Sequence, residues 1–405
     1  MTLSIKSFYQ RLCSVSNIHI LLALCAAHCL NDLLQSVVVA VYPMLKEELN
    51  LDFTQIGLIT LVYQIAASIF QPIVGYAFDR KPFRYSLPLG MCSTTLGIAL
   101  FSWCQTLTGV MIAVFMIGIG SATLHPEASR ITSLAGQGHR GFAQSVFQVG
   151  GNFGSSVGPL LVALIVAPHN RHYVLWFLIV STLCFMAMRP ITKWYGTYLR
   201  NFKKLSKEAS HNPIPLSKAR TVMAICLIVV LIISKYIYMT SLQSYYTFYL
   251  IERFGVSVSQ SQILLFVFVV STAAGTLVGG PVGDRIGRKF VIWISILGTA
   301  PFSLLIPHCS LPIVVVLSFG AGFMLSSAFP AILLYAQELL PNMLGMISGL
   351  FFGFAFGIAG VVAAILGDMA DHYGIINVYA VCAYSPLLGI VAAFLPNLKK
   401  NKNLA

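Results

Sequence analysis

Charged side chains are scarce in this sequence, and acidic ones most of all. Only 9% of the 405 residues are charged and 12 residues are acidic, whereas 57% are hydrophobic and the mean hydropathy is +0.83. A water-soluble domain carries roughly 25% charged residues. A chain this poor in charge cannot cover a water-exposed surface, so a soluble globular protein is excluded and a bilayer is the expected solvent.

The sequence also lacks the motifs that bind nucleotides or metals. It contains no GxxxxGK[ST] phosphate loop, no C-x-x-C pair and no H-E-x-x-H motif. Cys25, His28, Cys29 and Asp32 fall on neighbouring helical stripes, but none of those motifs accompanies them. Most of the nine cysteines lie inside apolar runs, where cysteine behaves as a small hydrophobic residue. We therefore expect no metal, no cofactor, no nucleotide-driven pump and no enzyme.

Twelve apolar runs are long enough to cross a bilayer, since a spanning helix needs about 20 residues. They cover, to within a few residues, 18–43, 54–78, 84–104, 107–127, 141–167, 172–190, 221–250, 259–282, 289–307, 311–338, 344–369 and 374–396. A backbone in hydrocarbon must satisfy its own hydrogen bonds, and these runs are too long for barrel strands. The first run shows no small-residue cleavage site, so we expect a retained helix. The predicted fold class is all-α integral membrane, with twelve transmembrane helices.

Basic residues alternate sharply between the loops. The loops after even-numbered runs, and both chain ends, are rich in Lys and Arg, whereas the opposite loops contain only Lys46, Arg171 and Arg253. By the positive-inside rule, this asymmetry predicts a multi-pass protein of the cell (inner) membrane with both termini in the cytoplasm. It also accounts for the net charge of +13, so we expect no nucleic-acid partner.

The two halves of the chain repeat each other. The sequence predicts a bundle of six helices over residues 1–190, a cytoplasmic linker at 191–220 and a second six-helix bundle over 221–405. GYAFDR follows the second run and GPVGDR follows the eighth, so Gly75 and Asp79 keep the spacing of Gly280 and Asp284. Two parallel six-helix repeats are typical of transporters whose bundles rock about a central binding site.

The second of these loops, GGPVGDRIGRK, resembles the loop signature of the major facilitator superfamily. The first copy, GYAFDRKPFR, departs from that signature because Pro82 and Phe83 replace Gly-Arg. Longer runs, among them FQVGGNFGSSVGPLL and SKYIYMTSLQSYYTFYL, resemble a drug-efflux branch of the superfamily, and the resemblance covers nearly the whole chain. It implies the major facilitator fold and antiport, that is, export of a small phosphonate antibiotic in exchange for protons.

Charges near the loops form a predicted cytoplasmic gate. The resemblance implies that the loops with Asp79 and Asp284 hold the two halves together when the transporter faces outward. We expect Glu127 to pair with an arginine of the first loop, and Glu338 with an arginine of the second, because charges this close to hydrocarbon need partners. The predicted gate residues are Asp79, Arg80, Glu127, Arg130, Asp284, Arg285, Arg288 and Glu338, with Arg84 as a further partner.

Two ionisable residues lie deep in their runs. Asp32 and Lys235 each stand about 14 residues into the first and seventh runs, roughly 20 Å along a helix. A charge in mid-bilayer costs at least about 2.5–3.5 kcal/mol, so each should face a cavity or a partner. Three interpretations stay open: a static salt bridge, an anionic substrate on Lys235 with the coupling proton on Asp32, or a cationic drug on Asp32. We favour the second, because a phosphonate needs a cation and the pKa of an acid beside a movable cation can change.

Two histidines accompany Asp32. His28 stands one turn before it, and a reference pKa of about 6.5 suits proton relay, although packing suits the residue equally well. We assign His125 to helix-end structure because Pro126 follows it.

Polar residues at helical spacing are candidates for the substrate site. Tyr236 and Tyr238 lie too deep to anchor a helix at the interface, so we expect them to line a polar cavity. Carboxamides at i, i+4 and i+8 on the fifth run suit cavity lining and helix–helix hydrogen bonding equally. The predicted substrate-binding residues are Lys235, Tyr236, Tyr238, Tyr246, Gln144, Gln148 and Asn152.

The function that this sequence predicts is proton-coupled secondary transport. We expect export of a small anionic drug by alternating access, with uptake or exchange of a small anionic metabolite on the same fold as the alternative. The expected partners are the small-molecule substrate, protons and the lipid bilayer, and the chain is expected to act as a monomer.

Overall fold

A computed structural model describes residues 17–51, 53–166, 168–205, 217–256 and 258–398. Within these ranges the secondary structure is helical, without strands. The chain divides into two units. The N-terminal unit holds residues 1–211 and 341–353, and the C-terminal unit holds residues 212–340 and 354–405.

Seven α-helices build the described part of the N-terminal unit before residue 211. They are α1 (Ile18–Ala40), α2 (Tyr42–Glu48), α3 (Phe53–Arg80), α4 (Ser86–Trp103), α5 (Leu107–Ala135), α6 (Arg140–Leu161) and α7 (Leu178–Leu205). A π-helix, Val162–Val166, extends α6, and a 3-10 helix, Arg171–Phe177, leads into α7.

Eight further α-helices follow. They are α8 (Lys218–Ser244), α9 (Tyr246–Phe254), α10 (Val258–Ile286), α11 (Arg288–Leu297), α12 (Ala300–Leu305), α13 (Leu311–Leu339), α14 (Leu344–Tyr373) and α15 (Ile375–Cys382). The 3-10 helices Ile306–His308 and Ser385–Phe394 follow α12 and α15. The first ten residues of α14 belong to the N-terminal unit.

The predicted membrane spans are confirmed by the helices. In the described part of the chain, eleven helical stretches are long and apolar enough to cross a bilayer. The remaining predicted span, 141–167, is α6 with its π-helical extension, whose glycines and amides make it less apolar. Pro126 does not end a helix as we expected, because α5 continues through it to Ala135. Membrane helices tolerate proline where neighbouring groups satisfy the freed carbonyl.

The predicted linker is partly helical. Its beginning continues α7 to Leu205, and Ile191 and Tyr195 are buried there. Residues 191–205 therefore form an amphipathic helix end, whose buried apolar face was concealed in the sequence by the many basic side chains around it. Residues 206–216 of the predicted linker lie outside the described residues.

A buried arginine, Arg171, connects α2 with the end of α4 in the N-terminal unit. Arg171 binds Glu48 through two hydrogen bonds of 2.8 and 2.9 Å. It also donates to the backbone carbonyls of Phe101, at 2.6 Å, and Cys104. The hydrogen bond from Arg171 lowers the pKa of the Glu48 carboxyl below its ordinary value. The Arg171 guanidinium thus satisfies carbonyl groups at the C-terminal end of α4 and holds α2 next to them.

Candidate functional site

Asp32 lies at the centre of a three-residue cluster in the N-terminal unit. His28, one turn earlier in α1, places Nε2 at 3.2 Å from Asp32 Oδ2. His125, from α5, places Nε2 at 3.3 Å from Asp32 Oδ1. Both imidazoles are buried, and the Asp32 side chain is 13% exposed. We call His28, Asp32 and His125 the carboxylate–histidine cluster.

Backbone carbonyls fix the tautomer of both histidines. His28 Nδ1 lies 2.7 Å from the carbonyl of Phe147, and His125 Nδ1 lies 3.0 Å from that of Ser121. A carbonyl oxygen only accepts, so each Nδ1 carries a hydrogen. In a neutral imidazole Nε2 then has a bare lone pair, and each Nε2 faces a carboxylate oxygen. Each of the two contacts can therefore become a hydrogen bond only when a proton lies between the nitrogen and the oxygen.

Close helix packing holds the cluster in position. The His28 ring stacks on Phe147 with centroids 4.0 Å apart. Gly151 of α6 lies against the cluster, since a Cβ there would meet the His28 imidazole and stand 2.8 Å from Asp32 Oδ2. Asn31 Nδ2 donates to Asp32 Oδ1 at 3.1 Å. The absence of a side chain at Gly151 thus leaves room for a buried ionisable group.

The cluster also offers a donor set for a metal ion. Its two ring nitrogens and the carboxylate oxygen lie within 4.8 Å of one another, and it is the set of three that meets this condition among the described residues. Imidazole and carboxylate accept protons and divalent transition metals alike.

Lys235 of α8 is the buried amine of the C-terminal unit. Its side chain is 3% exposed, and Nζ lies 4.6 Å from the ring centroid of Phe329 and 5.2 Å from that of Tyr236. Among the described residues of the C-terminal unit, Lys235 forms no ion pair. The aromatic faces attract the ammonium, but they do not neutralise it.

The tyrosines of α8 and α9 fall into two groups. Tyr236 is half-buried beside Lys235. Tyr238 and Tyr246 belong instead to the apolar core of the C-terminal unit, and their substrate role stays a prediction. Tyr249 is fully buried and stacks on Tyr379 with centroids 4.2 Å apart. Packing within the apolar core of the C-terminal unit therefore positions Tyr238, Tyr246 and Tyr249.

The carboxamide stripe of α6 divides in a similar way. Gln144 is buried and donates through Nε2 to the carbonyl of Ser129, at 2.7 Å, and to Ser133 Oγ, at 2.9 Å. It joins α6 to α5, the helix–helix bond that was one of the two open interpretations. Gln148 and Asn152 are half-buried, and their substrate role stays a prediction.

Asp79 binds the first turn of α14 within the N-terminal unit. Its Oδ1 accepts from the Gly345 N–H at 3.0 Å and its Oδ2 from the Met346 N–H at 2.8 Å. A carboxylate at a helix N-terminus satisfies orphan donors and complements the helix dipole. A Cβ at Gly345 would stand 2.9 Å from the carbonyl of Gly75, so the α3–α14 contact requires this glycine.

Glu127 and Arg130 form a buried pair beside Asp79. Arg130 binds both Glu127 oxygens, at 2.6 and 3.0 Å, and its Nε lies 3.8 Å from Asp79 Oδ1. Arg130 also donates to the hydroxyl of Tyr195. The expected pairing of Glu127 with an arginine of the first loop is wrong, because its basic partner stands one turn away on the same helix.

The loop arginines of the N-terminal unit point elsewhere. Arg80 is exposed and lies over the Tyr76 ring, 5.2 Å from the centroid. Arg84 is exposed as well and donates to the Tyr85 hydroxyl.

The second loop holds a matching ion-pair network in the C-terminal unit. Arg288 Nη1 donates to Asp284 Oδ1 at 2.6 Å, and Arg288 Nε donates to Glu338 Oε1 at 3.2 Å. The predicted pairing of Glu338 with a second-loop arginine is confirmed for Arg288, whereas Arg285 is exposed. Both copies of the repeated loop therefore carry their aspartate in a charged network, although the partners differ.

Sequence reasoning missed two members of these sites. His125 was assigned to a helix end, yet it contacts Asp32, 93 residues away in the chain. Tyr195 was assigned to the linker, yet it binds Arg130. The usable sequence signal for His125 was its position inside an apolar run, with Glu127 and Arg130 directly after it, since polar groups inside a span need partners.

Comparison with known proteins agrees with this architecture. The family model of the Major Facilitator Superfamily matches residues 24–252 and 224–404. The chain is 50% identical over 378 residues to the fosmidomycin resistance protein of Escherichia coli (strain K12), covering 93% of each chain. It is 38% identical over 395 residues to an uncharacterized MFS-type transporter of Bacillus subtilis (strain 168), covering 96% of this chain and 94% of the relative.

A solved structure shows the same fold. The fucose:proton symporter of E. coli matches with a TM-score of 0.74 at 16% sequence identity, over 94% of this chain and 100% of that chain. The predicted fold class and family are thus confirmed: the twelve-helix architecture, the matched family model and the extent of the similarity to these relatives show that the chain belongs to the Major Facilitator Superfamily of multi-pass membrane transporters.

Proposed function

We propose that this transporter exports a small anionic compound of the fosmidomycin type across the cell membrane, by alternating access, in exchange for protons. Both termini lie in the cytoplasm in this proposal, as the distribution of basic residues indicates. The observation that carries the proposal is Lys235, a buried ammonium that forms no ion pair among the described residues of its unit.

An anionic substrate would supply the counter-charge that Lys235 lacks within its unit. An unpaired charge inside a membrane protein is costly and marks a substrate or ion pathway. A phosphonate supplies the missing counter-charge, and the adjacent Tyr236 offers a hydroxyl to its oxygens. The 50% identity to a fosmidomycin resistance protein supports a phosphonate as the substrate class.

In this proposal the carboxylate–histidine cluster binds the coupling protons. Two nitrogen–oxygen contacts of 3.2 and 3.3 Å each take one proton, so the cluster exchanges protons without a change of backbone. His125 acts here with His28 and Asp32, because its Nδ1 hydrogen bond directs Nε2 at the carboxylate. Export then proceeds as protons enter the cluster from outside and leave it inside.

The two repeated loops form the gate in this proposal. Asp79 holds the first turn of α14 and Asp284 holds Arg288, and we assign the change that opens the cytoplasmic side to rearrangement of these bonds. Arg130 forms ion pairs with both Glu127 and Asp79. Glu338 pairs with Arg288, which also binds Asp284.

A flux assay in proteoliposomes tests the proposal. The purified chain is reconstituted, a pH gradient is imposed, and movement of fosmidomycin and of a set of small anionic metabolites is measured. We expect gradient-driven movement of fosmidomycin, abolished when the gradient is collapsed. Movement of a metabolite anion with none of fosmidomycin would replace the exporter by the uptake or exchange alternative.

A second measurement isolates proton coupling from substrate binding. His125→Asn, His28→Asn and Asp32→Asn should retain gradient-independent exchange of labelled for unlabelled substrate but lose uphill transport. His19→Asn is the matched control, since His19 lies exposed on α1 and should leave both activities unchanged. Uphill transport by His125→Asn at the wild-type rate would remove that residue from the mechanism.

A further inference from the structure

A cavity of about 640 Å³ lies within the C-terminal unit, where the ends of α10 and α13 meet the start of α11 and the 3-10 helix Ser385–Phe394. Its volume is in the range of small-molecule sites. Its lining combines charge with aromatic surface and includes Arg285, Arg288, Lys289, Trp293, Tyr335 and Glu338. We call it the basic cavity.

The lining of the basic cavity has an excess of positive charge. Arg288 is neutralised by its bonds to Asp284 and Glu338. Arg285 is exposed, and Lys289 Nζ donates to the backbone carbonyl of Ala393 at 2.8 Å. Neither of these two forms an ion pair with a carboxylate in the part of the chain that the structure describes. With Asp284 and Glu338 counted against Arg285, Arg288 and Lys289, the site keeps a net charge of +1, which favours an anion.

The backbone adds donors at the same place. The ten-residue helix α11 begins at Arg288 directly after Gly287, which has no side chain to cap the first turn. The N–H groups at a helix start bind phosphate oxygens well, because they are unpaired and lie at the positive end of the helix dipole. This feature reinforces the charge of Arg285 and Lys289.

An apolar surface continues from the cavity along the membrane-spanning helices. Ile286, Phe290 and Trp293 are 52%, 47% and 37% exposed. Side chains of this kind at the end of a membrane helix contact lipid, with the tryptophan at the level of the headgroups. A water-soluble anion would leave this surface unused, whereas acyl chains cover it.

We propose that the basic cavity binds the phosphate headgroup of an anionic phospholipid, whose acyl chains lie along Phe290 and Trp293. Basic pockets between membrane helices recognise such headgroups. The site does not depend on the transported substrate, because it lies at the end of the bundle with Arg285 and Lys289 rather than at the depth of Lys235.

Native mass spectrometry of the purified full chain tests the proposal. The detergent-solubilised protein is titrated with phosphatidylglycerol and, separately, with phosphatidylcholine of the same acyl chains. We expect tighter binding of phosphatidylglycerol by the wild-type chain. Equal retention of the two lipids overturns the proposal, and this comparison needs no variant to fold.

Variants then locate the site. Arg285→Gln with Lys289→Gln should weaken phosphatidylglycerol binding about fivefold for each side chain, hence about 25-fold for the pair, and leave phosphatidylcholine unchanged. The charge-matched control is Arg200→Gln with Arg220→Gln, since both arginines are exposed outside the cavity. An equal loss in the control pair overturns the assignment to this cavity.

Two further arms separate the lipid from a free anion. Trp293→Ala should weaken binding of both lipids, because it removes acyl contact. Inorganic phosphate in large excess should not displace phosphatidylglycerol. Complete displacement by phosphate, with no effect of Trp293→Ala, would show a small-anion site and overturn the lipid assignment.

Discussion

The buried charge of Lys235 lowers the free energy of unfolding but is needed for transport in our proposal, and Lys235→Met tests both effects. Methionine keeps the length of the side chain and removes the ammonium. We expect the variant to be more stable than the wild type and to lose gradient-driven transport of the phosphonate. An ordinary core substitution lowers the free energy of unfolding instead.

The magnitude follows from the surroundings of the amine. Holding the charge at membrane depth costs at least about 2.5–3.5 kcal/mol. Phe329, 4.6 Å away, returns about 0.5–2 kcal/mol through the cation–π contact. No ion pair within the described C-terminal unit offsets the rest, so Lys235→Met should raise the free energy of unfolding by about 0.5–3 kcal/mol.

The assay is thermal unfolding of the purified protein in detergent, with and without fosmidomycin. Saturating substrate should raise the Tm of the wild type, since a ligand at 100 times its Kd stabilises by about 2.7 kcal/mol. The same addition should leave Lys235→Met unchanged. Lys193→Met is the control, because Lys193 is exposed on α7 and its charge costs nothing there.

A Tm below that of the wild type would refute the reasoning. Such a loss would mean that the ammonium has a strong anionic partner, whose own charge the substitution leaves buried. A substrate-dependent rise in the Tm of Lys235→Met would equally refute the placement of the anion at this residue.

Three further predictions concern the N-terminal unit. Gly151→Ala should lower the free energy of unfolding by about 1–3 kcal/mol and disturb proton coupling, because the added Cβ meets the carboxylate–histidine cluster; chemical denaturation and the uphill flux assay measure the two effects. Asp79→Asn should remove about 1–2 kcal/mol of helix-terminus stabilisation from α14 and speed hydrogen exchange of its first turn, measured by mass spectrometry. Because the pKa of Glu48 is lowered by Arg171, the stability that this pair contributes is fully present above the ordinary carboxyl pKa of about 4.5 and is lost as the pH falls through the lower pKa of the folded protein. Glu48→Gln should therefore remove part of the loss of Tm between pH 6 and pH 3.

Controls and contrary results are specific to each case. Gly357→Ala in α14 is the glycine control, since a Cβ there meets nothing within 4 Å, and an equal effect would detach Gly151 from the cluster. Asp284→Asn should leave exchange in the first turn of α14 unchanged, and faster exchange there would contradict a local role for Asp79. An acid limb of the Tm curve identical in Glu48→Gln and wild type would show that other carboxylates control it.

The candidate site could be read from the sequence only in part. Asp32 and Lys235 stood out because a charge inside a long apolar run is expensive and therefore functional. The second histidine could not be paired with Asp32, since the contact depends on how α5 packs against α1. Tyr238 and Tyr246 share helical spacing with Lys235, but packing in the apolar core of the C-terminal unit buries them.

The gate residues, too, could be read from the sequence only in part. Asp79 and Asp284 were found from the repeated spacing after the second and eighth spans. Their partners were not: Asp79 binds backbone N–H groups at Gly345 and Met346, and backbone donors carry no mark in the side-chain sequence.

Composition and periodicity alone determined that the chain lies in a bilayer and how many helices cross it. These properties follow from the cost of moving each side chain and each peptide group into hydrocarbon, and that cost is local to the chain. The tertiary structure decided which charges meet. An ion pair or hydrogen bond depends on distances of about 3 Å between residues up to hundreds of positions apart, and helix packing sets those distances.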